Sequence, residues 1–143
     1  MDDIGLAALE SMLADSDVQA ITTRGFAGVL PQQATLPAFV VDVVTNNPFE
    51  HLGGSAMSVA RVRVDAYGTT RANSNTLAET IRTKVMQSTL KGTLGTTNSI
   101  SVREITLTAG PYWERDRPMD GGDDWRQFLR TDYLVTYRQT GPS

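Results

Sequence analysis

One stretch of the sequence, residues 57–90, carries two hydrophobic periods in succession. Residues 59–67 alternate between apolar and polar side chains, as a strand with one buried and one solvated face does. The apolar row is Ala60, Val62, Val64 and Ala66, and the polar row is Arg61, Arg63, Asp65 and Tyr67. Over residues 77–90 the apolar positions recur every three or four residues, which is typical of an amphipathic helix. We therefore expect a strand and a helix that covers its apolar row.

The ends of this helix are marked by capping residues. Thr69 and Thr70 are candidate N-caps, because a hydroxyl oxygen can accept a hydrogen bond from the first helical turn. Gly92 is a candidate stop signal. A second, shorter helix is predicted over residues 3–13, whose acidic first residue stands at the positive end of the helix dipole.

Three other segments have the patterns of strands. Residues 38–45 form a nearly continuous apolar run, which indicates burial on both faces. Residues 99–109 change the parity of their apolar positions, and this predicts a β-bulge near Arg103 and Glu104. Residues 125–140 return to alternation.

The order of these elements predicts a single α+β domain over residues 1–143, with a mixed, mainly antiparallel β-sheet of about four strands and two helices packed on one face. A further short strand is expected over residues 25–30. The chain contains 40% hydrophobic residues and no cysteine, so its core must form without disulfides.

Two polar segments are predicted to be loops. Residues 46–55 have turn-forming composition and hold Phe49 and Leu52. Residues 110–124 are charged but also contain Tyr112 and Trp113. Aromatic side chains among charges favour a contact surface, and we predict that this long loop meets a partner.

The sequence offers no catalytic, cofactor or metal constellation. His51 is the only histidine, and with no cysteine it cannot complete a zinc site. The aspartates at 120, 123 and 124 lack the ligand spacing of a calcium loop. We expect a protein that is not an enzyme and that uses no cofactor.

The charge pattern restricts the partners. A net charge of −3 argues against tight binding of nucleic acid. No apolar run reaches the roughly 20 residues of a membrane span, so we expect a soluble, cytosolic protein without a targeting segment and without a membrane partner.

Arginines on the predicted strands stand beside Asp65, Glu104 and Asp132. They indicate either ion pairing on a solvated sheet face or an electrostatically patterned surface for a neighbouring subunit.

Three of these segments, taken together, resemble a known family. They are Leu36-Pro37 followed by the strand at 38–41, the run Arg-Val-Arg-Val-Asp-Ala-Tyr at 61–67, and Ala78-Glu79-Thr80-Ile81-Arg82 in the helix. Their succession resembles the tail-completion or tail-terminator proteins of long-tailed, siphovirus-type bacteriophages.

The resemblance implies a structural virion protein at the junction of head and tail, assembled in the host cytoplasm. Such proteins form a ring, usually of six subunits, that caps the head-proximal end of the tail tube, ends its polymerisation and joins it to the neck. The implied partners are further copies of the chain, the tail tube protein and a neck or head-completion protein, while DNA passes through the lumen without specific binding.

The residues expected at these interfaces come from the polar row and from the two predicted loops. They are Arg61, Arg63, Asp65, Tyr67, Phe49, Leu52, Tyr112, Trp113, Arg115 and Arg117. Two alternatives remain open: another head–tail connector or tube protein, and a small-ligand-binding α+β domain.

Overall fold

The computed structural model describes residues 3–31, 33–50, 56–87, 92–97, 99–116 and 126–138. Three helices and six strands lie in these ranges. They are α1 (Ile4–Ala14), α2 (Ser16–Gln19), β1 (Gly25–Ala27), β2 (Ala38–Glu50), β3 (Ala56–Tyr67), α3 (Arg71–Lys84), β4 (Gly92–Leu94), β5 (Ile100–Asp116) and β6 (Arg126–Arg138).

The strands form one mixed sheet in the order β1-β2-β3-β6-β5-β4, which curls into a half-barrel. Strands β1 and β2 are parallel, and the other neighbouring pairs are antiparallel. The expectation of about four strands with two helices is therefore wrong. The prediction missed short elements: β4 has three residues and α2 four, too few to show a hydrophobic period.

Helix α1 explains why the sheet curls. It packs on β1 and β2 at one edge of the sheet and on β4 at the other. The Ser11 hydroxyl accepts a hydrogen bond from the backbone N–H of Gly95 at 2.7 Å, and Glu10 accepts from the N–H groups of Thr96 and Thr97 at 3.0 and 3.2 Å. A helix about 10 Å wide can touch both edges only if the sheet curves around it.

The main core lies between the helices and one face of the sheet, which we call the inner face. Val62 and Val64 of β3 are buried with Leu77 and Ile81 of α3, so the predicted packing of helix on strand is confirmed. Thr70 is the N-cap, and its hydroxyl accepts a hydrogen bond from an N–H in the first turn at 3.1 Å.

Helix α3 ends earlier than predicted. It stops at Lys84, well before Gly92. Val85 and Met86 remain buried beyond the helix, so the apolar spacing extends past the helical conformation. The apolar spacing therefore predicted the burial of Val85 and Met86 correctly but overestimated the length of the helix.

A second apolar cluster lies on the opposite face, which we call the outer face. It contains Leu30, Ala38, Val40, Tyr67 and Phe128, and the rings of Tyr67 and Phe128 are 4.7 Å apart. The polar row of β3 is consequently not fully solvated, because Tyr67 and Asp65 are buried on this face.

Several boundaries differ from the prediction. Strand β2 is buried on both faces only in its first half, since Asp42 and Val44 are exposed. It continues to Glu50 and pairs with β3 there, where residues 46–55 were predicted to be a loop. Val44 lies at a shift of register between Val43 and Thr45.

Strand β5 is bulged, as predicted. Its register with β6 shifts between Val102 and Glu104. Two further shifts, on either side of Ala109, let the strand continue to Asp116. The predicted loop at 110–124 is therefore wrong up to residue 116, and residues 117–124 lie outside the described ranges.

Candidate functional site

Five charged residues of β3 and β6 form a continuous array on the outer face, which we call the Arg–Asp ladder. Its members are Arg61, Arg63, Asp65, Arg130 and Asp132. The antiparallel register places Arg63 directly opposite Asp132 and Asp65 directly opposite Arg130. Alternation along both strands then turns all five side chains to one face.

The contacts of the ladder are charge-assisted and mostly bidentate. Arg63 donates to Asp132 through Nε at 2.9 Å and through Nη2 at 3.1 Å. Arg61 donates to the same carboxylate through Nε at 3.0 Å. Arg130 donates to Asp65 through Nε at 2.9 Å and Nη2 at 3.1 Å. Two parallel hydrogen bonds fix the plane of a guanidinium more firmly than a single contact does.

The two carboxylates of the ladder differ electrostatically. Burial opposes the ionisation of Asp132, but hydrogen bonds from Arg63 and Arg61 outweigh it and lower the pKa of Asp132. Burial raises the pKa of Asp65, because the single guanidinium of Arg130 offsets only part of the desolvation. One buried carboxylate thus has two cationic partners and the other has one.

Burial also separates the two signs of charge. Asp132 is fully buried, whereas the side chains of Arg61 and Arg63 are 38% and 26% exposed. The exposed part of the ladder is therefore formed by guanidinium edges, with the carboxylates beneath them. Leu134, opposite Arg61 in the register, is exposed and adds an apolar side chain to this surface. Arginine edges next to apolar side chains are typical of protein interfaces.

Tyr112 and Trp113 lie on strand β5 and point to opposite faces of the sheet. Tyr112 is the register neighbour of Arg130 and so belongs to the outer face with the ladder. Trp113 is partly buried against the main core, and the guanidinium of Arg71 lies 4.7 Å from the centre of its ring. The two aromatic residues therefore serve two different surfaces.

The surface around Trp113 is a cleft of about 520 Å³. We call it the Trp113 cleft. Its lining residues are Arg71, Trp113, Glu114, Arg115 and Gln127. Arg71 is the first residue of α3, and its Nε donates to Oε1 of Gln127 at 3.3 Å. The cleft thus lies where the start of the helix meets β5 and β6.

The structure divides the predicted interface residues between these surfaces. Arg61, Arg63 and Asp65 belong to the ladder, and Arg115 lines the cleft with Trp113. Tyr67 is buried and packs on Phe128, so it supports the outer face from within.

For the remaining predicted interface residues, and for His51, no side chain is described. Phe49 lies on β2, near its end, where the structure describes the backbone only. Leu52, Arg117 and His51 lie outside the described residues.

Sequence reasoning did not include Arg130, Asp132, Arg71 and Gln127 among the interface residues. The alternation in β6 did place Arg130 and Asp132 on one side of a strand. Which residues they would pair with depends on a register between strands about 70 positions apart, and the pattern of one strand does not contain that register.

The described ranges contain no cluster of three or more histidine, cysteine, aspartate or glutamate side chains that could hold a metal ion. Nor do they contain a helix of the length and apolarity that a bilayer crossing requires.

The sequence matches no protein-family model and no curated protein. Among solved structures, the fold is similar to that of a chain in the "virion of native gene transfer agent (GTA) particle", with a TM-score of 0.53 and 13% identity. The likeness covers 94% of this chain and 96% of that chain. It therefore concerns nearly the full length of both chains and not one shared motif.

Proposed function

We propose that the protein is a structural component of a phage-type virion. The observation that carries this proposal is the fold shared with a chain of a virion particle over nearly the full length of both chains. The sequence resemblance to tail-terminator proteins leads to the finer proposal. The protein forms a ring of six subunits at the head-proximal end of the tail tube, ends tube growth and joins the tail to the neck.

The proposed mechanism is steric rather than catalytic. A ring seated on the last ring of the tube covers the surface on which the next tube ring would dock. Its partners are further copies of the chain, the tube protein and a neck protein. The net charge of −3 suits a channel through which DNA passes without being held.

A closed ring requires two different, complementary surfaces on each subunit. We assign the Arg–Asp ladder to one of them. The hydrogen bonds within the ladder fix the guanidinium groups, so little side-chain entropy is lost when a neighbour binds them. Exposed guanidinium edges can still donate to carboxylates or carbonyl groups of the adjacent subunit.

Capping is tested by polymerising purified tail tube subunits with and without this protein and measuring tube lengths by negative-stain electron microscopy. Increasing amounts of the protein should shorten the tubes and leave one end of each closed by a ring. The charge reversal Arg61→Glu should weaken capping, while Arg82→Glu, on the exposed side of α3, should leave it unchanged.

Other outcomes assign other functions. Unchanged tube lengths would exclude a terminator. Incorporation of the protein along the whole tube would identify a tube subunit instead.

A further inference from the structure

The sheet has two stretches of strand edge that no strand of the described ranges covers. Within those ranges, β1 pairs with β2 only at residues 39–41, and β4 pairs with β5 only at residues 100–102. Residues 42–50 of β2 and residues 103–116 of β5 therefore have a neighbouring strand on one side only. Backbone N–H and C=O groups along such an edge point away from the sheet and can pair with another strand. We call these two stretches the free edges.

The two free edges match each other in direction and in level. Strand β2 is antiparallel to β3, β3 to β6 and β6 to β5, so β2 and β5 run in opposite directions. The register places Val43 of β2 in one row with Leu107 of β5, through Val62 and Tyr133. A rotation about an axis along the strands preserves direction and level. It therefore brings the free edge of β2 in one copy beside the free edge of β5 in another, in antiparallel orientation.

The side chains on the free edges also suit a contact. Val44 and Leu107 are 41% and 38% exposed, and each lies on one of the free edges. Contact between the edges removes this apolar surface from water. Asp42 adds an exposed carboxylate on the outer face, where the ladder exposes its guanidinium edges. The two edges thus combine backbone donors and acceptors with apolar side chains and opposite charges.

We propose that residues 42–47 of one subunit pair with residues 103–108 of the next copy of the chain, so that the sheet continues from subunit to subunit. This inference rests on the proposed ring and names the contact that closes it. Tyr112 of β5 neighbours Arg130, so the free edge of β5 and the ladder form one surface. The free edge of β2 is the complementary surface. Strand addition of this kind gains affinity from backbone hydrogen bonds and specificity from the side chains on each face.

A second copy of the chain fits these edges better than an unrelated peptide does. A peptide adds to one edge, and its binding does not require the two edges to match. In this chain the free edges overlap in level, run in opposite directions and each carry an exposed aliphatic side chain. A head-to-tail contact between copies uses both edges of every subunit.

Cysteine cross-linking tests this contact directly, because the chain contains no cysteine of its own. The double variant Val44→Cys/Leu107→Cys and the two single variants are treated with a short bis-maleimide, which tolerates a small shift in register. The products are separated on a denaturing gel, from samples with and without added tail tubes. Circular dichroism verifies that each variant is folded. The control pair Val29→Cys/Leu6→Cys replaces the same two residue types at exposed positions away from the free edges.

We expect the double variant to form a series of covalent multimers, because every contact between subunits then carries one thiol on each side. An equimolar mixture of the single variants should give covalent dimers and nothing larger, since each subunit carries a thiol on one edge only. Each single variant alone, and the control pair, should remain monomeric on the gel.

Two results would overturn the edge contact. One is the presence of rings in negative-stain images of the double variant without covalent multimers on the gel. The other is a covalent dimer formed by one single variant alone, which would show that an edge meets its own copy. Multimers without closed rings would support the edge contact and contradict the ring. If rings and multimers were both absent, with and without tail tubes, both proposals would be wrong.

Discussion

Asp132 lies directly opposite Arg63 and accepts two hydrogen bonds from its guanidinium, at 2.9 and 3.1 Å, although the two lie 69 positions apart in the sequence. The carboxylate is fully buried and the guanidinium is partly exposed. The pair therefore joins the two central strands of the sheet and also holds a partly exposed cation in a fixed position on the outer face.

Removing the guanidinium of Arg63 should destabilise the fold. In Arg63→Met the buried Asp132 keeps only Arg61 as a partner, and we expect a loss of about 2 kcal/mol in the free energy of unfolding. Urea denaturation followed by circular dichroism measures it. The matched control, Arg82→Met, breaks an exposed pair with Glu79 and should leave the unfolding midpoint unchanged. Equal losses of unfolding free energy in the two variants would show that the buried pair stabilises the fold no more than an exposed surface pair does.

The two aspartates of the ladder should act oppositely on acid stability. The folded-state pKa of Asp132 is lowered from 3.8, so its stabilisation is full above that value and is lost as the pH falls through the lowered pKa. The folded-state pKa of Asp65 is raised from 3.8, so the folded state takes up this proton more readily and gains stability as the pH falls.

In Asp132→Asn the free energy of unfolding should therefore fall less steeply with decreasing pH than in the unchanged protein. In Asp65→Asn it should fall more steeply. The free energy of unfolding measured in urea between about pH 3 and 7 compares them. If the free energy of unfolding depended on pH with the same slope in both variants, the assignment of two partners to Asp132 and one to Asp65 would be contradicted.

Gly110 should tolerate no side chain. Its φ is +88°, and a Cβ atom would lie 2.4 Å from the carbonyl oxygen of Arg130. We expect Gly110→Ala to cost about 3 kcal/mol, from backbone strain and steric overlap together. Gly28 is the matched control, because its φ is +82° but a Cβ atom there would meet nothing within 4 Å. Gly28→Ala should cost only the strain, about 1 kcal/mol, in thermal or urea unfolding. Similar losses in both would exclude the close approach of β5 and β6 as the cause.

Substitution of Trp113 should affect stability, whereas substitution of Tyr112 should affect assembly. Trp113 packs against the core, and Trp113→Ala should lower the free energy of unfolding by about 2 kcal/mol. Tyr112 lies on the outer face beside Arg130, so Tyr112→Ala should leave stability nearly unchanged and weaken association of subunits. Denaturation and sedimentation of the two single variants measure both quantities. A loss of assembly in Trp113→Ala alone, at unchanged stability, would place the subunit contact on the inner face instead.

The sequence predicted the features that depend on neighbouring residues. Thr70 caps α3 because its hydroxyl reaches a nearby N–H, and the bulge near Arg103 follows from the parity of adjacent apolar residues. The pairing of Arg63 with Asp132 depends on a register between distant strands, which local patterns do not record.

Two places that were predicted to be loops lie in strands, for a related reason. The Gly110-Pro111 pair is typical of a turn, yet bulges on either side of Ala109 keep it within a strand that β6 holds in place. Pro48 likewise lies in β2, paired with β3. Strand pairing overrides local turn preference at both places.

The central claim is that the protein closes into a ring, and the most direct test is its mass in solution over a range of concentrations, by light scattering, with negative-stain images of the same samples. We predict a closed ring of six subunits, or a monomer that becomes this ring only when tail tubes are added. Open-ended tubes formed by the protein alone, or a monomer that ignores tail tubes at every concentration, would contradict the claim.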